Sequence, residues 1–233
     1  MTAAKPSHIR PSWRVINSDA MKALRELDAG SIDAVITDPP YGIAYESRTI
    51  RSGQRKAIAN DENPFVWWMS ALGDLLTPEG CVVCFCRWDV TEPFKSALEW
   101  SGLTVRGQVI WDKVLHGMGD TARAPAPQHE TIWFASKKDY RLPGPRPRSV
   151  VRHQRVHHQA MTHPTEKPVS LMAELVRSYC RPGGRVLDPF MGTGSTGVAC
   201  IDEGRSFIGV EMDAGYCDIA QARLARSAEA ACA

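Results

Sequence analysis

Apolar positions along the chain come in short runs separated by segments with helical spacing. Val15-Ile16-Asn17 and Ile32-Asp33-Ala34-Val35-Ile36-Thr37 predict two short buried strands, with a helix over Met21 to Leu27 between them. Asp38-Pro39-Pro40-Tyr41 must end the second strand, because two consecutive prolines cannot donate to a ladder. A helix is expected from Phe65 to Leu76, then a stop at Thr77-Pro78-Glu79-Gly80 and a strand from Cys81 to Cys86. The pattern continues with a helix over Pro93 to Trp100 and strands over Leu103 to Trp111 and Thr131 to Ala135. A helix over Pro168 to Cys180 turns Leu171, Leu175, Val176 and Tyr179 to one face. Strands at Arg185-Val186-Leu187 and Ser206 to Val210 flank a glycine-rich helix start, and a helix over Tyr216 to Ala225 closes the series. Strands alternating with helices imply an α/β fold with a mostly parallel sheet. The 233 residues suit one domain over 1–233 and show no internal repeat.

Two stretches break the pattern. Residues 46–60, with Arg48, Arg51, Arg55 and Lys56, read as a basic loop, and 140–163 shifts to Arg, His, Pro and Gln without a period. Overall composition excludes little: 43% apolar, 23% charged and a formal charge of +2 fit an ordinary globular protein. The local distribution says more. Residues 137–167 hold Lys137, Lys138, Arg141, Arg146, Arg148, Arg152, Arg155 and Lys167 against Asp139 and Glu166, with His153, His157, His158 and His163 among them. Such a run can neutralise phosphates and read base edges. Arg48, Arg51, Arg141, Arg146, Arg148, Arg152 and Arg155 are therefore candidate nucleic-acid contacts, and 46–60 and 114–163 candidate target-recognition insertions. No apolar run approaches membrane-spanning length, and no secretion signal follows Met1, so a cytoplasmic protein is expected. The seven cysteines, three of them within the apolar run Cys81 to Cys86, read as buried thiols rather than metal ligands.

Two motifs carry chemistry. The strand at 185–187 enters Asp188-Pro189-Phe190-Met191-Gly192-Thr193-Gly194-Ser195-Thr196-Gly197, where glycines admit a ligand close to the backbone and a helix start presents free N–H groups. The next strand ends at Glu211, placed to accept hydrogen bonds from two ribose hydroxyls. Gly192, Gly194 and Gly197 also satisfy the dinucleotide pattern, but only 22 residues follow Glu211, too few for the second half of such a fold. A phosphate loop fails because no Lys follows the glycines. In the other motif, Pro39 and Pro40 hold their carbonyls rigidly, Asp38 adds a charged acceptor, and Tyr41 offers a π-face to a flat base. Acceptors gripping both N–H donors of an exocyclic amino group favour pyramidal nitrogen and free its lone pair.

These residues, in this order, resemble the β-class DNA amino-methyltransferases, a permuted arrangement with the catalytic segment first and the cofactor loop last. Asn17-Ser18-Asp19, Trp111-Asp112-Lys113, His129-Glu130 and His163-Pro164-Thr165-Glu166-Lys167-Pro168 extend the resemblance over nearly the whole chain. It implies a Rossmann-like S-adenosylmethionine-dependent methyltransferase fold with a seven-stranded sheet and one antiparallel strand. It assigns Asp38, Pro39, Pro40 and Tyr41 to the target base. Phe190, Gly192 and Gly194 would face the methionine end of the cofactor, Glu211 its ribose and Asp19 its adenine. Thr165 and Lys167 would lie near its carboxylate, and Asp38, Asp188, Ser195 and Thr196 would complete the cofactor site. Asn17-Ser18-Asp19 departs from the family's more usual Gly-Asp pair. The implied substrate is double-stranded DNA with a flipped base, adenine N6 favoured because cytosine-N4 members usually carry Ser in place of Asp38. Cytosine N4, RNA and an inactive DNA-binding module are the alternatives, and a homodimer is implied by analogy alone.

Overall fold

The computed structural model describes residues 11–42, 65–117, 121–156 and 166–231. The loop at 46–60 with Arg48 and Arg51, and Thr165, fall outside these. In chain order the elements are β1 (Trp13–Asn17), α1 (Ala20–Arg25), β2 (Ile32–Thr37), a 3-10 turn (Trp67–Ala71) running into α2 (Leu72–Leu75), β3 (Leu76–Cys86), α3 (Thr91–Trp100), β4 (Thr104–Asp112), β5 (His129–Ser136), β6 (Val150–Arg152), α4 (Val169–Tyr179), β7 (Arg185–Asp188), α5 (Ser195–Asp202), β8 (Ser206–Glu211) and α6 (Ala214–Ala230).

The strands form one sheet in the order β1-β8-β7-β2-β3-β5-β4-β6. Every pairing is parallel except those of β5, which runs antiparallel to both β3 and β4. One reversed strand agrees with expectation. The count does not: among the described residues eight strands stand where the resemblance implies seven. The extra one, β6, pairs Val150, Val151 and Arg152 with Ile110, Trp111 and Asp112. Three residues set among arginines and prolines are too short to show a period, so only the open edge of β4 reveals the strand.

Side chains alternate across the sheet with a period of two. In β3, Cys81, Val83 and Phe85 pack on one side with Leu171, Met172 and Leu175 of α4, Ala199 and Cys200 of α5, and Leu224 of α6. Val82, Cys84 and Cys86 pack on the other with Leu24 of α1, Trp68 and Leu72, and Phe94 and Leu98 of α3. The six cysteines among the described residues are thus buried, as their apolar setting predicts. The expected helix at 65–76 is cut to the 3-10 turn and one α-turn. Leu76 is already extended and pairs with Ile32, while the next pairing joins Ala34 to Cys81. Thr77-Pro78-Glu79-Gly80 is therefore a bulge inside β3, the setting in which a strand tolerates proline.

The chain leaves β7 through α5 toward β8 and leaves the adjacent β2 in the opposite direction toward β3. The carboxyl ends of β7 and β2 diverge there, opening the crevice where α/β sheets bind ligands.

Candidate active site

Asp38 follows directly on β2, and Asp188 ends β7 beside it. The Thr37 hydroxyl donates to Asp188 Oδ1 at 2.7 Å and the Thr196 hydroxyl to Oδ2 at 2.6 Å, while the Phe190 amide donates to Oδ1 at 3.1 Å. Asp188 is 3% exposed, and burial pushes its carboxyl up to about 6 despite these three donors. Its carboxylate faces protein on all sides, so it fixes the glycine loop from behind. Thr196 is turned inward by the same bond, and the Ser195 hydroxyl points to Glu166 at 3.5 Å. Asp188, Ser195 and Thr196 are all buried, at 3%, 7% and 4% exposure.

The loop itself is open to a ligand. Gly192 and Gly194 have φ of +52° and +83°, and Gly194 caps α5 in the left-handed region. Among the described residues, nothing lies within 4 Å of where a Gly192 Cβ would sit. The Gly192 amide donates to Glu211 Oε2 at 3.1 Å and the Asp213 amide to Oε1 at 2.8 Å, so the half-buried carboxylate is oriented and keeps a free lone pair on each oxygen. Asn17 Nδ2 donates to the carbonyls of Glu211 and Met212, tying β1 to the same corner. Asp19 accepts from the Lys22 amide as the N-cap of α1 and is half-buried at that carboxyl edge. Phe190 packs edge-on against Phe65 and Trp68, with ring centroids 6.2 and 5.3 Å away. Neither Phe65 nor Trp68 was singled out by the sequence, since an aromatic in a helix-like run reads as core.

Across the crevice, both oxygens of Asp38 are engaged. The Tyr41 hydroxyl donates to Oδ1 and the Lys167 ammonium to Oδ2. The Tyr41 ring packs edge-on to Phe94 of α3, centroids 6.3 Å apart. Burial, then the Asp38 and Glu130 charges, hold the Tyr41 phenol well above its usual range, so it stays a donor. Lys167, 9% exposed, also meets Glu130 Oε2 at 3.3 Å, and Lys113 meets Glu130 Oε1 at 2.9 Å. Burial by itself would lower the Lys167 ammonium, but Asp38 and Glu130 outweigh it and keep it raised and charged. Burial would raise Glu130, yet Lys167 and Lys113 outweigh that and hold it low. Lys167 was expected at the site; Lys113 and Glu130 were matched by sequence but given no role, because the strand pairing that joins them is not visible in it.

The basic run is sorted by the sheet. β5 ends at the amino edge, and the chain returns along β4 until Ser149 accepts from the Ile110 amide at 2.8 Å. Arg152 and Arg155 come out at the carboxyl edge, the edge that also holds Asp38 across three intervening strands, with Arg148 just below them. Arg141 does not: Tyr140 beside it donates to the Tyr179 carbonyl, at the amino-edge end of α4. All five arginines of this run, Arg146 included, are exposed, and Arg152 pairs with Asp112 at 3.3 Å. Between β4 and β5, the Gly117 amide donates to the Pro127 carbonyl and the Lys113 amide to that of Gln128, extending the hairpin past the edge. Val114 there has φ +68°, a strained setting for a β-branched residue, with its amide held by Asp112 Oδ1 at 2.8 Å.

A sheet with one reversed strand, a glycine loop at the end of β7 and an acid–Pro–Pro–Tyr corner at the end of β2 define a methyltransferase domain. The chain belongs to the DNA methylase family: the N6_N4_Mtase model matches residues 32–222, a span that includes both motifs. It is 30% identical to the methylase YubD of Escherichia coli (strain K12) over 91% of this chain and 90% of that one. It is 28% identical to the type II methyltransferase M.HpaI of Haemophilus parainfluenzae over 91% and 74%. Among solved structures it matches the M1.HpyAVI–SAM complex with a TM-score of 0.70 at 27% identity, covering 91% of this chain and all of that one. PvuII DNA methyltransferase, described as cytosine-N4-specific, shares the fold with a TM-score of 0.72 at 16% identity, over 94% and 92%. The chain is a DNA methyltransferase of the N6/N4 family.

Proposed function

We propose that this enzyme transfers a methyl group from S-adenosylmethionine to the exocyclic amino group of a base flipped out of duplex DNA, adenine N6 within a short recognition sequence. The observation that carries the reading is the facing of Asp38, at the end of β2, and the glycine loop with Glu211, at the ends of β7 and β8, across one crevice. The space beside Gly192 and the free lone pairs of Glu211 fit a nucleoside cofactor with ribose hydroxyls to donate. Gly192, Gly194, Phe190 and Glu211 would hold it, with Asp19 toward its adenine and Lys167 and Thr165 toward its carboxylate. When bound, S-adenosylmethionine supplies an activated methyl group, so the chain's task is alignment.

Asp38 and the Pro39 carbonyl grip the two N–H donors of the amino group, and the Tyr41 ring supports the base. Asp38 need not be a strong base, because the nitrogen becomes acidic only after methylation. The choice of adenine rests on the resemblance, through Asp38. Residues 1–233 form one domain in this reading, with DNA contacts from 46–60 and 114–163. A cytoplasmic location follows from the substrate, and the homodimer remains an analogy to be checked by light scattering.

Purified protein incubated with methyl-labelled S-adenosylmethionine and unmethylated bacterial DNA, then digested to nucleosides, tests the reading. Label in N6-methyladenine is the expected result. Label in N4-methylcytosine would retain the chemistry and overturn the base, and label in RNA alone would overturn the polymer.

A further inference from the structure

Four charged side chains cross the carboxyl edge of the sheet in strand order. Asp38 follows β2, Lys167 lies over β3 with its Nζ 5.0 Å from the Phe85 ring centroid, Glu130 belongs to β5, and Lys113 follows β4. Their charges alternate, each facing the next through the Asp38–Lys167, Lys167–Glu130 and Glu130–Lys113 pairs. The middle pair differs in kind. Glu130 Oε2 is buried and has no aligned hydrogen-bond donor, although the Lys167 ammonium is 3.3 Å away. The ammonium is hydrogen-bonded to Asp38 and drawn electrostatically toward Glu130. With Asp38 as its only carboxylate, the ammonium would offset the whole charge of the acceptor that must grip the substrate amino group; with Glu130 3.3 Å away, it is shared between two.

We propose that Glu130 is a positioning residue for methyl transfer: anchored by Lys113, it places a second carboxylate beside the Lys167 ammonium bonded to Asp38, offsets part of its charge, and so preserves the capacity of Asp38 to accept the substrate amino group. The inference rests on the reading above that Asp38 holds that group. A purely structural role predicts something different. Replacing Glu130 alone leaves Lys113 without its carboxylate in a half-buried place, so a loss of activity could come from a loosened fold. Replacing Glu130 and Lys113 together removes the uncompensated charge.

The test compares wild type, E130Q and E130Q/K113Q for thermal stability, for kcat and KM on DNA, and for the side-chain NMR titration of Lys167 in the protein without cofactor. Lys167 is faced by Asp38 from β2, Glu130 from β5 and the Phe85 ring from β3, so loss of Glu130 removes one of its two carboxylates. Lys167 should titrate at lower pH in E130Q than in wild type. In both variants kcat should fall roughly 10- to 100-fold with KM for DNA unchanged, the scale expected for a misplaced catalytic group. The double variant should regain stability while its kcat stays low. Wild-type kcat in the double variant, or an unmoved Lys167 titration in E130Q, would overturn the inference and leave the methyltransferase reading standing. A wild-type protein that labels no nucleic acid would overturn that reading and the inference with it.

Discussion

At the residue scale, three carboxylates at neighbouring strand ends have three different surroundings. Asp38 meets a hydroxyl and an ammonium at the crevice, Glu211 is held by two backbone amides with lone pairs to spare, and Asp188 is enclosed. Asp38→Ala should lower kcat at least about 100-fold, the cost of removing one positioned electrostatic group, and should also cost stability because the buried Lys167 ammonium loses its hydrogen-bonded carboxylate; near-normal turnover of labelled methyl would refute the role. Asp188 should report on stability instead. Its carboxyl rises from the usual 3.8 to about 6 on folding, so the native state binds the proton more tightly than the unfolded chain does. Its stabilising contribution is present below about pH 4 and is lost as pH rises through 6. Asp188→Asn abolishes this titration. Between pH 4 and 7 the stability of the variant relative to wild type should therefore rise by about 2 kcal/mol, read by urea unfolding at both values. A constant difference would show that folding does not raise the Asp188 carboxyl.

At the element scale, the glycine loop combines two requirements that one motif conceals. A Cβ on Gly197 would fall 2.6 Å from the Phe207 ring, so this glycine lets α5 pack on β8. A Cβ on Gly192 would meet nothing among the described residues, but its φ of +52° is unfavourable for other residues, and it borders the crevice. Gly197→Ala should cost about 1–3 kcal/mol of stability through overpacking. Gly192→Ala should cost about 1 kcal/mol in strain and, unlike Gly197→Ala, raise the KM for S-adenosylmethionine. Equal effects of the two on that KM would remove the distinction. The bulge in β3 shows the reverse case. Thr77-Pro78-Glu79-Gly80 carries turn chemistry, and the chain does kink there, but pairing of Leu76 with Ile32 carries the strand across it.

Over the whole molecule, a net charge of +2 conceals a directed distribution. Arg148, Arg152 and Arg155 flank the carboxyl edge that holds Asp38, whereas Arg141 lies toward the opposite edge. DNA affinity of Arg148→Gln and Arg155→Gln should show a salt dependence shallower by about one unit each in the log–log slope. Arg141→Gln should leave it unchanged, and a slope that fell equally for Arg141 would place the duplex along the whole β4 flank. The sequence alone could not make this division, since all the arginines belong to one unpatterned run.

The sequence by itself determined the order of strands and helices, the two motifs, and their family. Val186-Leu187 and Ile32 to Thr37 are short apolar runs closed by prolines or glycines, and such local signals survive without any neighbour. Tertiary structure decided what depends on pairing between distant segments: the eighth strand, the β3 bulge, and the burial that makes Asp188 a fastening and Asp38 an acceptor. It also assembled Lys113, Glu130 and Lys167, which are 17 and 37 residues apart along the chain. They meet because β5 runs antiparallel between β3 and β4, bringing the start of one strand to the ends of its neighbours.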